Sequence, residues 1–210
     1  MNATAATYAV EHDELMCAID EQHAPKRTVV AFGFWVFLLS DIVMFSALFA
    51  SYAVLVHDNA GGPTGAQLFN QFNVAIETAC LLASSYTCGL MSLAINASRR
   101  GTTYLLSAMT FILGAAFLVL EVSEFTSMIA HGAAPQRSAF LSAFFALVGC
   151  HGLHVTAGLI WLIVMMAQVA VRGFTQSAER RLLCFALFWH ALDIIWVGLF
   201  SVVYLMGVAP

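Results

Sequence analysis

His190 and Asp193 stand three residues apart inside an apolar stretch, 182–206, that holds no other charged residue. An ionisable side chain in such a stretch costs several kcal/mol unless another protein group satisfies it. A spacing of three puts both on one helix face, where they can share a partner on a neighbouring helix. Glu121 with Glu124, and His151 with His154, repeat the pattern. The chemistry open to such pairs is proton holding, binding of a cation or amine, ligation of a metal or haem, and hydrogen bonding between helices.

The residue context narrows this range. One imidazole on each of two helices can clamp a haem, but the macrocycle needs small residues around each. His190 is instead flanked by Trp189, with Phe185, Phe188 and Trp196 close by. Its reading is a structural, hydrogen-bonded histidine. His151-Gly-Leu-His154 would need two further metal ligands, and Glu-x-x-His, the motif of di-metal carboxylate bundles, does not occur. Two carboxylates as close as Glu121 and Glu124 do not both ionise in low dielectric without a cationic partner. A histidine or a lipid amine beside Glu124 would supply one, and a polar clasp between helices is the plainer reading. No nucleophile, base and orienting group can be assembled by spacing, and no glycine-rich phosphate loop is present. The expectation is a chain with no catalytic, cofactor or metal site of its own.

Those residues must be positioned by membrane helices. The chain is 61% hydrophobic and 10% charged, against about 25% charged in soluble domains, and its mean hydropathy is +0.86. A net charge of -4 argues against nucleic acid as a partner. Cys17, Cys80, Cys88, Cys150 and Cys184 form no CxxC pair and read as small core hydrophobes. Apolar runs of bilayer-crossing length occur at 28–56, 72–97, 103–130, 138–171 and 182–206. Alternation of polar and apolar residues is absent, so the expected fold is all-α: a polytopic membrane protein with five transmembrane helices in one bundle. The fourth run must tilt or protrude, since its 34 residues span about 50 Å as a helix. Residues 1–27, acidic and without a signal-peptide pattern, read as a cytoplasmic N-terminal arm on a single domain at 28–210. Of the eight basic residues, all but Arg137 fall on one side of the membrane. The positive-inside rule makes that side cytoplasmic, with the N-terminus inside and the C-terminus outside.

Counting inward along each run places Asp41, His151, His154, His190 and Asp193 near mid-depth. Glu77 and Glu124 fall towards the outer side, with Glu121 between. A single polar layer across the helices is expected. Gly149, Gly152 and Gly158 on the fourth helix are expected to admit a neighbouring backbone, and His190 to find its partner among Glu124, His151 and His154.

Several segments resemble subunit III of the haem-copper terminal oxidases. They are Phe144-Phe-Ala-Leu-Val-Gly-Cys-His-Gly-Leu-His-Val155, Phe188-Trp-His-Ala-Leu-Asp-Ile-Ile-Trp196 and Ser201-Val-Val-Tyr-Leu-Met-Gly207. Ser40-Asp41, Leu81-Leu-Ala-Ser84 and Ser123-Glu-Phe125 support the likeness. The five spans and the segment from Leu48 to Gly65 are similar to the branch found in cytochrome bo-type ubiquinol oxidases.

The resemblance implies an accessory, non-catalytic subunit in a bacterial inner membrane. Haems and CuB would lie in partner subunit I, contacted directly, with subunits II and IV in the same complex. Phospholipids would bind between its helices, with Asp41, Glu77, Glu121, Glu124 and Arg172 as candidate residues beside the two histidine pairs. Relative to the seven-helix form, Asp41 replaces a glutamate. An arginine of that form falls at Gln168, leaving Arg172 as its nearest replacement. A cytochrome c oxidase subunit is the alternative. A free-standing haem-binding cytochrome using His151, His154 and His190 is a weaker one. A transporter is disfavoured by unbroken spans and the lack of an inverted repeat.

Overall fold

The computed structural model describes residues 29–30, 32–56, 71–97 and 99–205; the expected arm at 1–27 lies outside them. Five helices are long and apolar enough to cross a bilayer: α1 (Phe32–Leu55), α2 (Gln71–Asn96), α3 (Arg100–Ala130), α4 (Ala139–Arg172) and α5, which runs from Gln176 to Tyr204. No strand occurs among the described residues. The all-α, multi-pass membrane architecture expected from the sequence is the observed one.

Local chemistry sets the helix ends. The Ser138 hydroxyl caps α4 by accepting from Leu141 N at 3.2 Å. Gly173, at φ +73, ends it in a conformation that favours glycine. Thr175 then caps α5, accepting from Ala178 N at 3.3 Å. Helix α5 therefore begins at Gln176, not near 182 as apolar content suggests. Glu179 lies in its first turn, where the helix dipole favours an acid. Arg180 bonds back to Gln176 O at 3.1 Å. Backbone capping sets this start; hydropathy marks only where the apolar part begins. The last turns of α5, Phe200–Leu205, widen into a π-helix that leaves Val203 and Tyr204 buried.

From Ile42 onward the chain forms one unit, in which α2 packs on α3 and α5, and α4 on α3 and α5. Leu81, Met91, Phe117, Leu147, Val155 and Phe185 are buried among them. The α2–α3 pair is tied by a Thr87–Thr110 hydroxyl bond of 2.8 Å. Ser107 donates to Met91 Sδ at 3.0 Å. Within this unit the second half of α1 lies against α4, with Tyr52 on Phe140 and Phe45 on His154 at ring separations of 6.0 and 5.3 Å.

Candidate functional site

The polar side chains collect in two places. The first is an acidic pocket near the start of α2 and the end of α3. Glu77 and Glu121 are 1% and 3% exposed, and Glu124 is half-buried. The three carboxyls lie in electrostatic reach of one another, as does the Tyr204 ring of α5. Both Glu121 oxygens, one oxygen each of Glu77 and Glu124, and the Tyr52 hydroxyl are buried with no hydrogen-bond partner among the described residues. Glu121 reaches across to α4, where a Cβ at Gly152 would stand 2.8 Å from its Oε1. A side chain at 152 would have to displace that carboxyl.

His151 stands one residue from Gly152, fully buried within an aromatic cage. Its ring lies 5.2 Å from Trp196, 5.9 Å from Phe117 and 6.2 Å from Phe45. Neither ring nitrogen has a hydrogen-bond partner among the described residues. His154, the other member of the pair, turns its Nδ1 to its own helix at Cys150 O, 2.8 Å away. The pair therefore does not act as a two-nitrogen clamp. Among the described residues no three of His, Cys, Asp and Glu converge as ligands for a metal ion.

The second place is the α2–α5 seam. Trp196 Nε1 donates to Thr78 Oγ1 at 3.0 Å, and Trp189 Nε1 to Ser84 Oγ at 3.0 Å. His190 Nδ1 and Ser85 Oγ share a bond of 2.7 Å. Six residues along α2, from Thr78 to Ser84, match seven back along α5, from Trp196 to Trp189, and partners that ascend one helix as they descend the other are those of two antiparallel helices. Asp193 completes the group, its carboxyl in electrostatic reach of Ser85 and His190.

These positions correct two expectations. His190 Nδ1 is bonded to Ser85, not to Glu124, His151 or His154. Nor do the polar residues form a single layer, since Glu77 and Ser85 are eight residues apart on α2, about 12 Å along the axis. The glycines also differ. Gly152 and Gly158 admit side chains, not a backbone: the Glu121 carboxyl and the Trp189 indole, whose Cζ3 would lie 2.9 Å from a Cβ at Gly158. A Cβ at Gly149 would meet only Phe125, at 3.8 Å. The opposite wall of the Trp189 slot is Gly114 on α3, where a Cβ would stand 2.9 Å from Cζ2.

Two candidates remain, Asp41 and Arg172. Asp41 is half-buried near the middle of α1. Arg172 is exposed in the last turn of α4. Gln168, one turn earlier, takes a 3.3 Å bond from Arg181 of α5, so a guanidinium does reach that position, from another helix. Arg100 lies over the Phe174 ring at 5.8 Å in the α4–α5 connection.

The segments around His151 and His190 thus supply the aromatic cage and the α2–α5 ladder. The chain matches the family described as cytochrome c oxidase subunit III over residues 12–208. It belongs to that family. Similar subunit III proteins include the cytochrome bo(3) ubiquinol oxidase subunit 3 of Pseudomonas aeruginosa, 49% identical over 97% of this chain and 94% of that protein. The same-named protein of Pseudomonas putida is 50% identical over 84% and 85%. The quinol oxidase subunit 3 of Bacillus subtilis is 42% identical over 94% and 96%.

Proposed function

We propose that this chain is the third subunit of a bacterial, proton-pumping ubiquinol oxidase, and that its part in the reaction is indirect. The carrying observation is likeness over nearly the full length to proteins named as subunit 3 of ubiquinol oxidases. The histidine environments support a non-catalytic role. His151 is caged by three aromatic rings that leave no space for a haem there, and His190 Nδ1 is tied to Ser85. Haems and CuB then belong to subunit I, on which this chain packs beside subunits II and IV. The basic residues flanking the helices support an N-terminus in the cytoplasm and a C-terminus in the periplasm. Phospholipid bound at the half-buried carboxyls is part of this reading.

Purifying the oxidase from cells with and without this chain tests it. The tagged chain should bring down a haem-bearing subunit. Its deletion should leave haem content nearly intact while shortening the enzyme's working life. A haem spectrum that stays with the isolated chain would overturn the reading.

A further inference from the structure

The acidic pocket draws on all five helices. Tyr52 comes from α1, Glu77 from α2, Glu121 and Glu124 from α3, Gly152 from α4 and Tyr204 from the end of α5. Tyr204 has the three carboxyls and the Tyr52 phenol within electrostatic reach. Tyr52 is 1% exposed, and its hydroxyl has no hydrogen-bond partner among the described residues. A phenol thus joins the acids inside the bundle. Four carboxyl oxygens are unpartnered in the same way, both of Glu121 and one each of Glu77 and Glu124. On α4 the neighbouring titratable group is His151, whose ring is enclosed by Phe45, Phe117 and Trp196.

A carboxylate isolated in a low-dielectric interior neutralises instead of staying ionised, so a cation must meet these acids. No basic side chain among the described residues bonds to the oxygens named above. Nor are any three of the described His, Cys, Asp and Glu placed to hold a metal ion. A lipid amine can approach the half-buried Glu124, but not Glu77 or Glu121, which are 1% and 3% exposed. The cation that remains is the proton. We infer that the pocket is a proton-binding site, in which Glu77 and Glu121 hold exchangeable protons and Glu124 passes them to and from the surface. This goes beyond the subunit III reading and does not depend on it. Glu124 follows Glu121 by one turn of α3, within its electrostatic reach, and lies six residues from the helix end at Ala130, about 9 Å by helical rise. A proton leaving Glu121 moves to Glu124 and then to water at that end of the bundle. The Tyr52 hydroxyl donates to the carboxyl left ionised.

The test is infrared difference spectroscopy of the intact purified complex, wild type against Glu77→Gln, Glu121→Gln and Glu124→Gln. Each glutamine keeps the size of the side chain and removes its acid. At neutral pH the wild type should show the carbonyl absorption of protonated carboxylic acids, moving on transfer to D2O. Glu77→Gln and Glu121→Gln should each remove the intensity of one such carbonyl. Glu124→Gln should keep both and slow their exchange with D2O by roughly tenfold or more, the effect of a modest added barrier. Absorption undiminished in both of the first two variants overturns the proton site. Exchange as fast in Glu124→Gln as in the wild type overturns the route through Glu124. Should Glu121→Gln fail to fold, Glu121→Asp keeps an acid there and should shift the carbonyl absorption without abolishing it. A Glu121→Asp spectrum identical to the wild type also overturns the site. The haem spectrum of the same samples reports on the subunit III reading, so either can fail while the other stands.

Discussion

Glu121 on α3 and Gly152 on α4 are built around each other: the carboxyl occupies space that a Cβ at Gly152 would claim, with Oε1 only 2.8 Å from that position. The α3–α4 crossing therefore depends on a missing methyl group, and a buried acid fills the gap.

Gly152→Ala should consequently push Glu121 off its site and destabilise the fold by about 1–3 kcal/mol, the usual cost of overpacking. Glu121→Ala in the same chain should recover much of that loss. Equilibrium unfolding of the purified chain in mixed detergent gives the four corners of the cycle. Purely additive effects would mean that the two residues do not meet.

The glycines of α4 should behave differently from one another. Gly158→Ala drives a methyl group into the Trp189 ring, 2.9 Å away, whereas Gly149→Ala meets only Phe125 at 3.8 Å. The first should destabilise the chain; the second should be neutral or slightly stabilising, because alanine is the better helix former by up to about 1 kcal/mol. Equal losses at both positions would contradict the Trp189 slot.

At the α2–α5 seam, the Ser85–His190 bond should appear as a coupling of about 0.6–1.7 kcal/mol in a double-alanine cycle, the range of hydrogen bonds in membranes. His190 with Glu124, with His151 and with His154 should each be additive. Coupling to one of those three and none to Ser85 would place the partner elsewhere.

The five helices were legible because crossing a bilayer demands long apolar runs, and nothing else in this chain has that pattern. The charged start of α5 was not, since Thr175, Glu179 and Arg180 form a cap and first turn that hydropathy scores as loop. His190 and Asp193 were recognisable as polar residues inside an apolar span, but their partner was hidden. Ser84 and Ser85 are ordinary residues for a membrane helix and usually bond their own backbone. A usable signal was nevertheless present: hydroxyls at Thr78 and Ser84 stand six apart on α2, close to the seven that separate the indoles at Trp189 and Trp196. Gly114 escaped notice because an isolated glycine in α3 gives no sign of the indole it faces across the bundle.

Topology offers a direct check. Seven of the eight basic residues lie on one side of the helices, which sets the proposed orientation. Alkaline phosphatase fused after Met206 should be active, since it folds only outside the cytoplasm. The same enzyme fused after Arg100 should be inactive. The reverse pattern would invert the assignment.

The carboxyls give the last prediction. Glu124 is half-buried with its Oε1 unpartnered among the described residues, and Glu77 and Glu121 stand within its electrostatic reach. A neighbouring cation would relieve that arrangement, and the amine of a phospholipid headgroup is the cation a membrane supplies. Glu124→Ala should therefore lower the number of phospholipids that native mass spectrometry finds on the purified oxidase. Asp41→Ala, on α1, should do so independently. Neither should much alter the initial rate of quinol oxidation, because no substrate reaches these residues in the proposed function. The losses should come later, as turnover fails sooner than in the wild-type enzyme. An unchanged lipid count in both variants would remove lipid from the account of these carboxyls. A fall in initial rate with lipids still in place would instead put the carboxyls closer to the chemistry than proposed.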